Sequence, residues 1–252
     1  LITAQGQIIE GMGDKERGSV ISTARAQLAF LDSPTLARSL DASAFSLGDL
    51  KRGKATVFLC LPASRMGTHS RWLRLIVALA LAALEAEPMR PELPVLFVLE
   101  EFAALGYMRA LENAVAYMAG FDVKLWAVLQ DITQLKRHYP QSWETFLGNS
   151  GVLQAFSVVD QTTLDYLSKR LGKTTLQITN KNDVSSAQSM AGDTGLRKEF
   201  KDCSLMEPDE IARKFRHKQA DDGSSAGGLS LVLISGYAPF MVDRVYFGEL
   251  VQ

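Results

Sequence analysis

Only two cysteines, Cys60 and Cys203, occur in 252 residues, too few for a disulfide framework, and no C-x-x-C pair offers a zinc half-site. Cys60 lies inside the apolar run 56–61, where a thiol is expected to act as a small core filler. Such sparse usage suits a reducing cytosol. Long hydrophobic runs are missing as well. The longest, 75–84, has ten residues, against the about 20 that a membrane span needs. The first twenty residues are largely polar and carry no apolar h-region, so no signal peptide is read there. Nor is there an excess of one charge: Lys plus Arg is 27 against 28 Asp plus Glu. That balance excludes a generally basic nucleic-acid-coating surface, though not a local basic face, and it excludes an acidic disordered tail. His69, His138 and His217 show no metal-ligand spacing to one another or to a cysteine. No serine sits in a G-x-S-x-G elbow.

What is present is the ordinary balance of a globular chain, long enough for one large α/β domain or one domain plus a fragment. Since it begins with Leu rather than Met, we expect a piece of something longer. Residues 1–52 read as helical, with apolar residues such as Val20, Ala24, Leu28 and Leu31 at three- and four-residue steps. Ser33-Pro34 has the form of an N-cap followed by the first helical position. From Lys54 the rhythm changes to apolar runs of strand length alternating with helical patterns. Buried strands are expected at 56–61, 95–99, 124–129 and 152–157. Helices are expected at 70–86 (apolar enough to be buried on most sides), 107–119, 132–138, 142–147 and 161–171. Lone apolar strands alternating with helices predict an α/β fold, a parallel sheet with helices on both faces. Beyond Gly172 the pattern thins: 180–202 reads as a long mobile loop and 206–215 as a helix. Residues 221–228 form a Gly/Ser tip, and 229–234 with 241–247 read as a closing hairpin.

The sharpest chemical feature is Val95-Leu96-Phe97-Val98-Leu99-Glu100-Glu101. An apolar parallel strand that ends in two carboxylates delivers them to the edge of the sheet where ligands bind. Successive residues point to opposite faces, so one glutamate could hold a metal through water while the other points at an attacking water. That is the layout of a Walker B strand in a nucleotide hydrolase; the alternative is that the pair opens a solvated loop. A second strand, Leu125-Trp126-Ala127-Val128-Leu129, ends in Gln130. If the two strands are neighbours, Glu101 and Gln130 reach the same sheet edge, where a Gln can donate to a γ-phosphate or orient water. The alternative for Gln130 is a helix-start residue bonding its own backbone. Lys136-Arg137-His138 and 213–218 are small basic clusters, read as solvated helix faces or as phosphate or acidic-partner contacts.

Five segments resemble the nucleotide-binding domain of type IV secretion coupling proteins, the motor ATPases of conjugation and effector export. They are Leu96-Phe97-Val98-Leu99-Glu100-Glu101-Phe102-Ala103-Ala104-Leu105-Gly106, Ala116-Tyr117-Met118-Ala119-Gly120, Val128-Leu129-Gln130-Asp131-Ile132-Thr133-Gln134-Leu135, Trp143-Glu144-Thr145-Phe146-Leu147-Gly148-Asn149 and the run from Tyr166-Leu167-Ser168 to Lys173-Thr174-Thr175. Weaker similarity covers Ser19-Val20-Ile21-Ser22-Thr23-Ala24, Phe30-Leu31-Asp32-Ser33-Pro34 and Met206-Glu207-Pro208-Asp209-Glu210-Ile211. The resemblance implies a RecA-like domain over 53–252, its C-terminal part, preceded over 1–52 by the end of an inserted all-helical domain. It implies ATP and Mg²⁺ as cofactors, with Glu101 activating water and Gln130 sensing the γ-phosphate. Glu100 falls where the family has the Asp that holds Mg²⁺, a departure that keeps the charge but lengthens the side chain by one methylene.

Two family parts are not found. Residues 117–121 offer no arginine finger, leaving Lys124 as the nearest cation, and no G-x-x-x-x-G-K-[ST] phosphate loop occurs. In the family that loop and the membrane-spanning helices lie upstream, so this chain is expected to be the C-terminal part of a longer protein. ATP hydrolysis is accordingly expected only of the complete protein. By the same resemblance that protein works as a hexamer on the cytoplasmic face of the bacterial inner membrane, held there by a segment this chain does not contain. It passes a relaxase–DNA complex or effector proteins to the secretion-channel components. Two other readings stand beside this one: a non-catalytic recruitment module on a RecA-like scaffold, and a metal-dependent nuclease using Glu100 and Glu101. The nuclease is disfavoured because no third ligand appears at a recognisable place.

Overall fold

The computed structural model describes residues 2–181, 196–217 and 227–245. Backbone contacts divide the chain into two compact units, Leu1–Leu129 and Gln130–Gln252. The helical stretch up to residue 52 belongs to the first of them.

The first unit opens with four helices: α1 (Ile2–Glu10), α2 (Asp14–Leu28), α3 (Pro34–Leu40) and α4 (Asp49–Arg52). Asp14 and Glu16 favour the start of α2 by their charge. Ser33 stands at the N-cap of α3 with Pro34 behind it, but its hydroxyl makes no capping bond. Long helix α5 (Met66–Ala86) buries Leu73, Val77, Ala80, Leu81 and Leu84 on one face. Burial on most sides, expected from its apolar middle, does not occur: Leu75 and Leu79 on another face are exposed. Helix α6 (Arg109–Tyr117) lies between strands β1 (Val95–Leu99) and β2 (Val123–Ala127) in the chain. These strands pair in parallel, Val95 opposite Val123 through Leu99 opposite Ala127. A short connecting helix is the usual means of returning a chain to a parallel neighbour.

Two expectations fail in this unit. Residues 56–61 form no strand, and Phe58 is 82% exposed. Their apolar content reads as burial, but a strand also needs a neighbour for its N–H and C=O groups, and none of the described residues provides one. Cys60 is accordingly exposed rather than a core filler. Strand β1 is likewise not fully buried. Its residues alternate, with Leu96 and Val98 exposed and Val95, Phe97 and Leu99 partly covered.

The second unit holds α7 (Ile132–His138), α8 (Trp143–Gly148), β3 (Val152–Ala155), α9 (Gln161–Leu171), β4 (Lys173–Lys181), β5 (Leu196–Ser204), α10 (Pro208–Lys214), β6 (Gly228–Ile234) and β7 (Phe240–Arg244). Its helix starts are written in side chains. Asp160 accepts the Thr163 N–H at 2.8 Å, and Glu207 and Glu210 form a reciprocal capping box around Pro208. Leu164 and Leu167 of α9, Ile211 and Phe215 from α10 and its C-cap, and Leu231 and Leu233 of β6 close one core. The Ser168 hydroxyl donates to the Met206 carbonyl at 2.7 Å beside it.

Here β3 does not extend a parallel sheet: it runs antiparallel to β6, which runs antiparallel to β7. Alternation of strands and helices fixes neither which strands become neighbours nor their direction. The 180–202 loop is also corrected where it is described, since Lys173–Lys181 and Leu196–Ser204 form a nine-pair antiparallel ribbon. Thr, Leu and Ile at alternate positions of 174–179 support this ribbon, yet its polar composition reads as loop because both faces meet solvent. The middle of that segment, 182–195, and the tip at 221–226 lie outside the described residues. The closing hairpin over β6 and β7 is as expected, turning through Gly236 at φ 82°, a value glycine takes without strain.

Candidate functional site

Because β1 and β2 are parallel, both end at the same edge of their sheet, and the ladder runs one bond past β2, Val128 N–H to the Leu99 carbonyl at 3.0 Å. Glu100 and Glu101 follow Leu99 at that edge. The chain then enters a short 3-10 helix, Phe102–Leu105, whose Phe102 and Leu105 are buried. Ala104 N–H donates to the Glu101 carbonyl at 3.0 Å, and Arg74 of α5 donates to the Leu105 carbonyl at 2.9 Å. The acidic pair is therefore held between a strand end and an anchored helical turn. Both side chains are exposed, and no described residue hydrogen-bonds or ion-pairs with either carboxylate.

Gln130 is the first residue of the second unit, one peptide bond beyond Leu129. Its side chain is exposed, and its N–H donates to Gln134 Oε1 at 3.1 Å. The helix-start role considered for it falls instead to Asp131, whose carboxylate accepts the Gln134 N–H at 2.9 Å and the Thr133 hydroxyl. Those two bonds, the Thr133 hydroxyl foremost, hold the Asp131 carboxyl below the ordinary carboxylate range. Sequence reading missed Asp131, although Asp followed three residues later by Gln is a legible capping signal. Glu100 and Glu101 are thus brought together at one sheet edge, while Gln130 opens the other unit.

Among the described residues no three His, Cys, Asp or Glu side chains gather as a metal cage. Mg²⁺ beside a nucleotide does not need one. It keeps several waters and takes one or two carboxylates plus phosphate oxygens, and two exposed, unengaged glutamates fit that donor set. One cation of each basic cluster is engaged within the chain. Lys136 lies 4.2 Å from the Trp143 ring centroid, a cation–π contact, and Arg213 pairs with Asp209 at 2.6 Å. Lys124 is a solvent-facing residue of β2. No described helix is long and apolar enough to cross a membrane.

Comparison with known proteins places the chain in a family. The family model for type IV secretory system conjugative DNA transfer matches residues 6–249. Conjugal transfer protein TraG of Escherichia coli is 30% identical over 94% of this chain and 40% of its own length. Protein VirD4 of Rhizobium rhizogenes is 27% identical over 85% of this chain and 30% of its own length. The chain therefore spans less than half the length of these relatives. Among solved structures, the bacterial conjugative coupling protein TrwB in its unbound monoclinic form gives a TM-score of 0.68 at 16% identity. That match covers 93% of this chain and 51% of that one. TrwB in complex with ADP and Mg²⁺ gives 0.64 at 16% identity, over 93% and 50%. These structural matches show the fold, α/β and RecA-like. With all but a few terminal residues inside the family model, the chain belongs to the type IV secretory system conjugative DNA transfer family.

Proposed function

We propose that this chain is part of a type IV secretion or conjugation coupling ATPase, which couples ATP hydrolysis to transfer of a relaxase–DNA complex or effector proteins into the secretion channel. The observation that carries this reading is the exposed, unengaged pair Glu100–Glu101 at the end of a parallel strand pair. It occurs in a family whose structural relative TrwB has been solved with ADP and Mg²⁺ and with a non-hydrolysable ATP analogue. In this reading Glu101 activates the attacking water, Glu100 holds Mg²⁺ through water, and Gln130 contacts the γ-phosphate. Residues 1–52 end the all-helical domain and 53–252 form the C-terminal part of the motor domain. The phosphate loop and a membrane anchor come from sequence outside this chain. The complete protein assembles as a hexamer on the cytoplasmic face of the inner membrane, against secretion-channel components.

The test is Glu101→Gln in the complete protein. Losing a water-activating carboxylate slows turnover by about 10²- to 10⁴-fold, while ATP binding, measured with a fluorescent analogue, stays near wild type. Retained ATPase activity would remove Glu101 from the role given to it. If the complete wild-type protein neither binds nor hydrolyses ATP, the recruitment-module reading takes its place, a reading that the Glu at position 100 favours.

A further inference from the structure

An open groove of about 390 Å³ runs across the first unit between the end of α2, the face of α5 and the start of α6. Its floor is apolar, with Phe30 and Met108 buried beneath it and Leu28 and Leu75 exposed along it. Three arginines, Arg71, Arg74 and Arg109, are among its lining residues, and no Asp or Glu of the described residues is. Arg71 donates to the Ala26 carbonyl at 2.7 Å and Arg74 to the Leu105 carbonyl at 2.9 Å. Each is thereby fixed by one nitrogen with other donors left over, and neither pairs with a carboxylate of the described residues. A guanidinium held this way is pre-organised for a carboxylate and loses little freedom on meeting one.

The lining sets the chemistry of the occupant. Arg71, Arg74, Leu75 and Ala78 stand at i, i+3, i+4 and i+7 on one face of α5. Exposed Leu79 carries the apolar stripe one turn further. A groove at the low end of the roughly 300–1,000 Å³ range of ligand pockets takes two or three apolar side chains. The rim of three unpaired cations asks for acidic groups beside them. We propose that this groove docks an acidic amphipathic helix of a partner protein, apolar side chains in the trough and Asp or Glu against Arg71, Arg74 and Arg109. In helix-in-groove recognition the docking helix itself carries apolar anchors at i, i+3, i+4 and i+7. No nucleotide is involved, so the proposal stands or falls apart from the ATPase reading.

The probe is a fluorescently labelled peptide of about 18 residues, long enough to form a helix when Ala-rich, with Leu at the i, i+3, i+4 and i+7 positions, Glu at the positions flanking them and Ala elsewhere. Its twin carries Lys for every Glu. Binding to the complete protein, in which the groove must stay open for the proposal to hold, is followed by fluorescence anisotropy at several salt concentrations. The Glu peptide is expected to bind, more weakly as salt rises. Arg109→Glu is expected to weaken it by about tenfold, the scale of one charge-assisted hydrogen bond, and to gain affinity for the Lys twin. Arg109 holds no described residue by a hydrogen bond or ion pair, its charge acts on exposed Tyr107, and an acid suits the start of α6, so this variant is expected to fold, as unchanged far-UV circular dichroism would show. Leu75→Ser, at an exposed position, is expected to lose peptide binding without losing helicity. Equal binding of the Lys twin to the unmodified protein, or an unchanged Arg109→Glu, overturns the proposal. So does an oligothymidylate that displaces the peptide and binds Leu75→Ser undiminished, which makes the groove a nucleic-acid surface. Concentration-dependent self-association abolished by Arg109→Glu overturns it in favour of a second copy of the chain.

Discussion

Replacing Asp131 with alanine tests the local chemistry that sets the chain at Gln130. The Asp131 carboxylate accepts the Gln134 N–H and the Thr133 hydroxyl, so alanine strands an N-terminal amide of α7. Losing such a cap costs about 1 kcal/mol, within a range of roughly 0.5 to 2. The rest of α7 is fastened independently. Leu135 is buried and Ile132 N–H donates to Thr163 Oγ1 at 3.0 Å, so the helix stays docked and the loss belongs near 1 rather than 2. Asparagine keeps an acceptor at the cap and is expected to recover most of the loss.

The pH dependence follows from the direction of the shift. The Thr133 hydroxyl, the Gln134 and Thr133 N–H groups and nearby Arg137 hold the folded-state carboxyl below its ordinary range. A depressed folded pKa stabilises fully above the unfolded value of about 3.9 and is lost as pH falls through the folded one. Wild type and Asp131→Ala should therefore differ by a constant amount above about pH 5 and converge in acid. Urea unfolding followed by far-UV circular dichroism from neutral to acid pH reads this as a midpoint difference at unchanged slope. A difference that widens on acidification, or an asparagine variant no better than alanine, would refute the capping argument.

Two further outcomes rest on other parts of the molecule. Leu167→Ala removes a side chain only 1% exposed in the α9–α10–β6 core and should cost about 2–5 kcal/mol, whereas Leu79→Ala on the open face of α5 should stay within about 0.5. Equal losses in denaturant unfolding would mean that the core has been drawn in the wrong place. Tyr107 donates its hydroxyl to Glu112 Oε2 at 2.9 Å, and that bond above all raises its pKa from the ordinary value. The phenolate absorbance lost in Tyr107→Phe should therefore rise later than that of free tyrosine, and Glu112→Gln should bring it earlier; no change would break the pairing.

What was legible in the sequence was what a local pattern can carry. Helices α7 and α9 have the expected bounds because their apolar spacing and flanking polar residues leave few alternatives. The helix between β1 and β2 fits the parallel pairing they adopt, since a helical crossover is the usual link between parallel neighbours. Register and partner choice were not legible. β3 meets β6 across a gap of more than seventy residues, and nothing near Val152 announces it. The arginine groove was equally silent, since Arg71 and Arg74 look like any solvated helix face until Arg109, from another helix, closes the third side.

The apolar residues that β1 and β2 leave in solvent follow one physical rule. Leu96 and Val98 share a face with Trp126, because Leu96 pairs with Lys124 and Val98 with Trp126, and all three apolar side chains are at least half exposed. Parallel strands present side chains on both faces and are normally covered on both. In a chain spanning 30–40% of its relatives' length, the described residues cover one. Residue type therefore records the surroundings a strand is built for, which is why β1 and 56–61 read as buried when this chain leaves them open. Glu100 and Glu101 escape that error. Their signal is not burial but position, two carboxylates one step past an apolar strand, and position survives whether or not the strand's second face is covered.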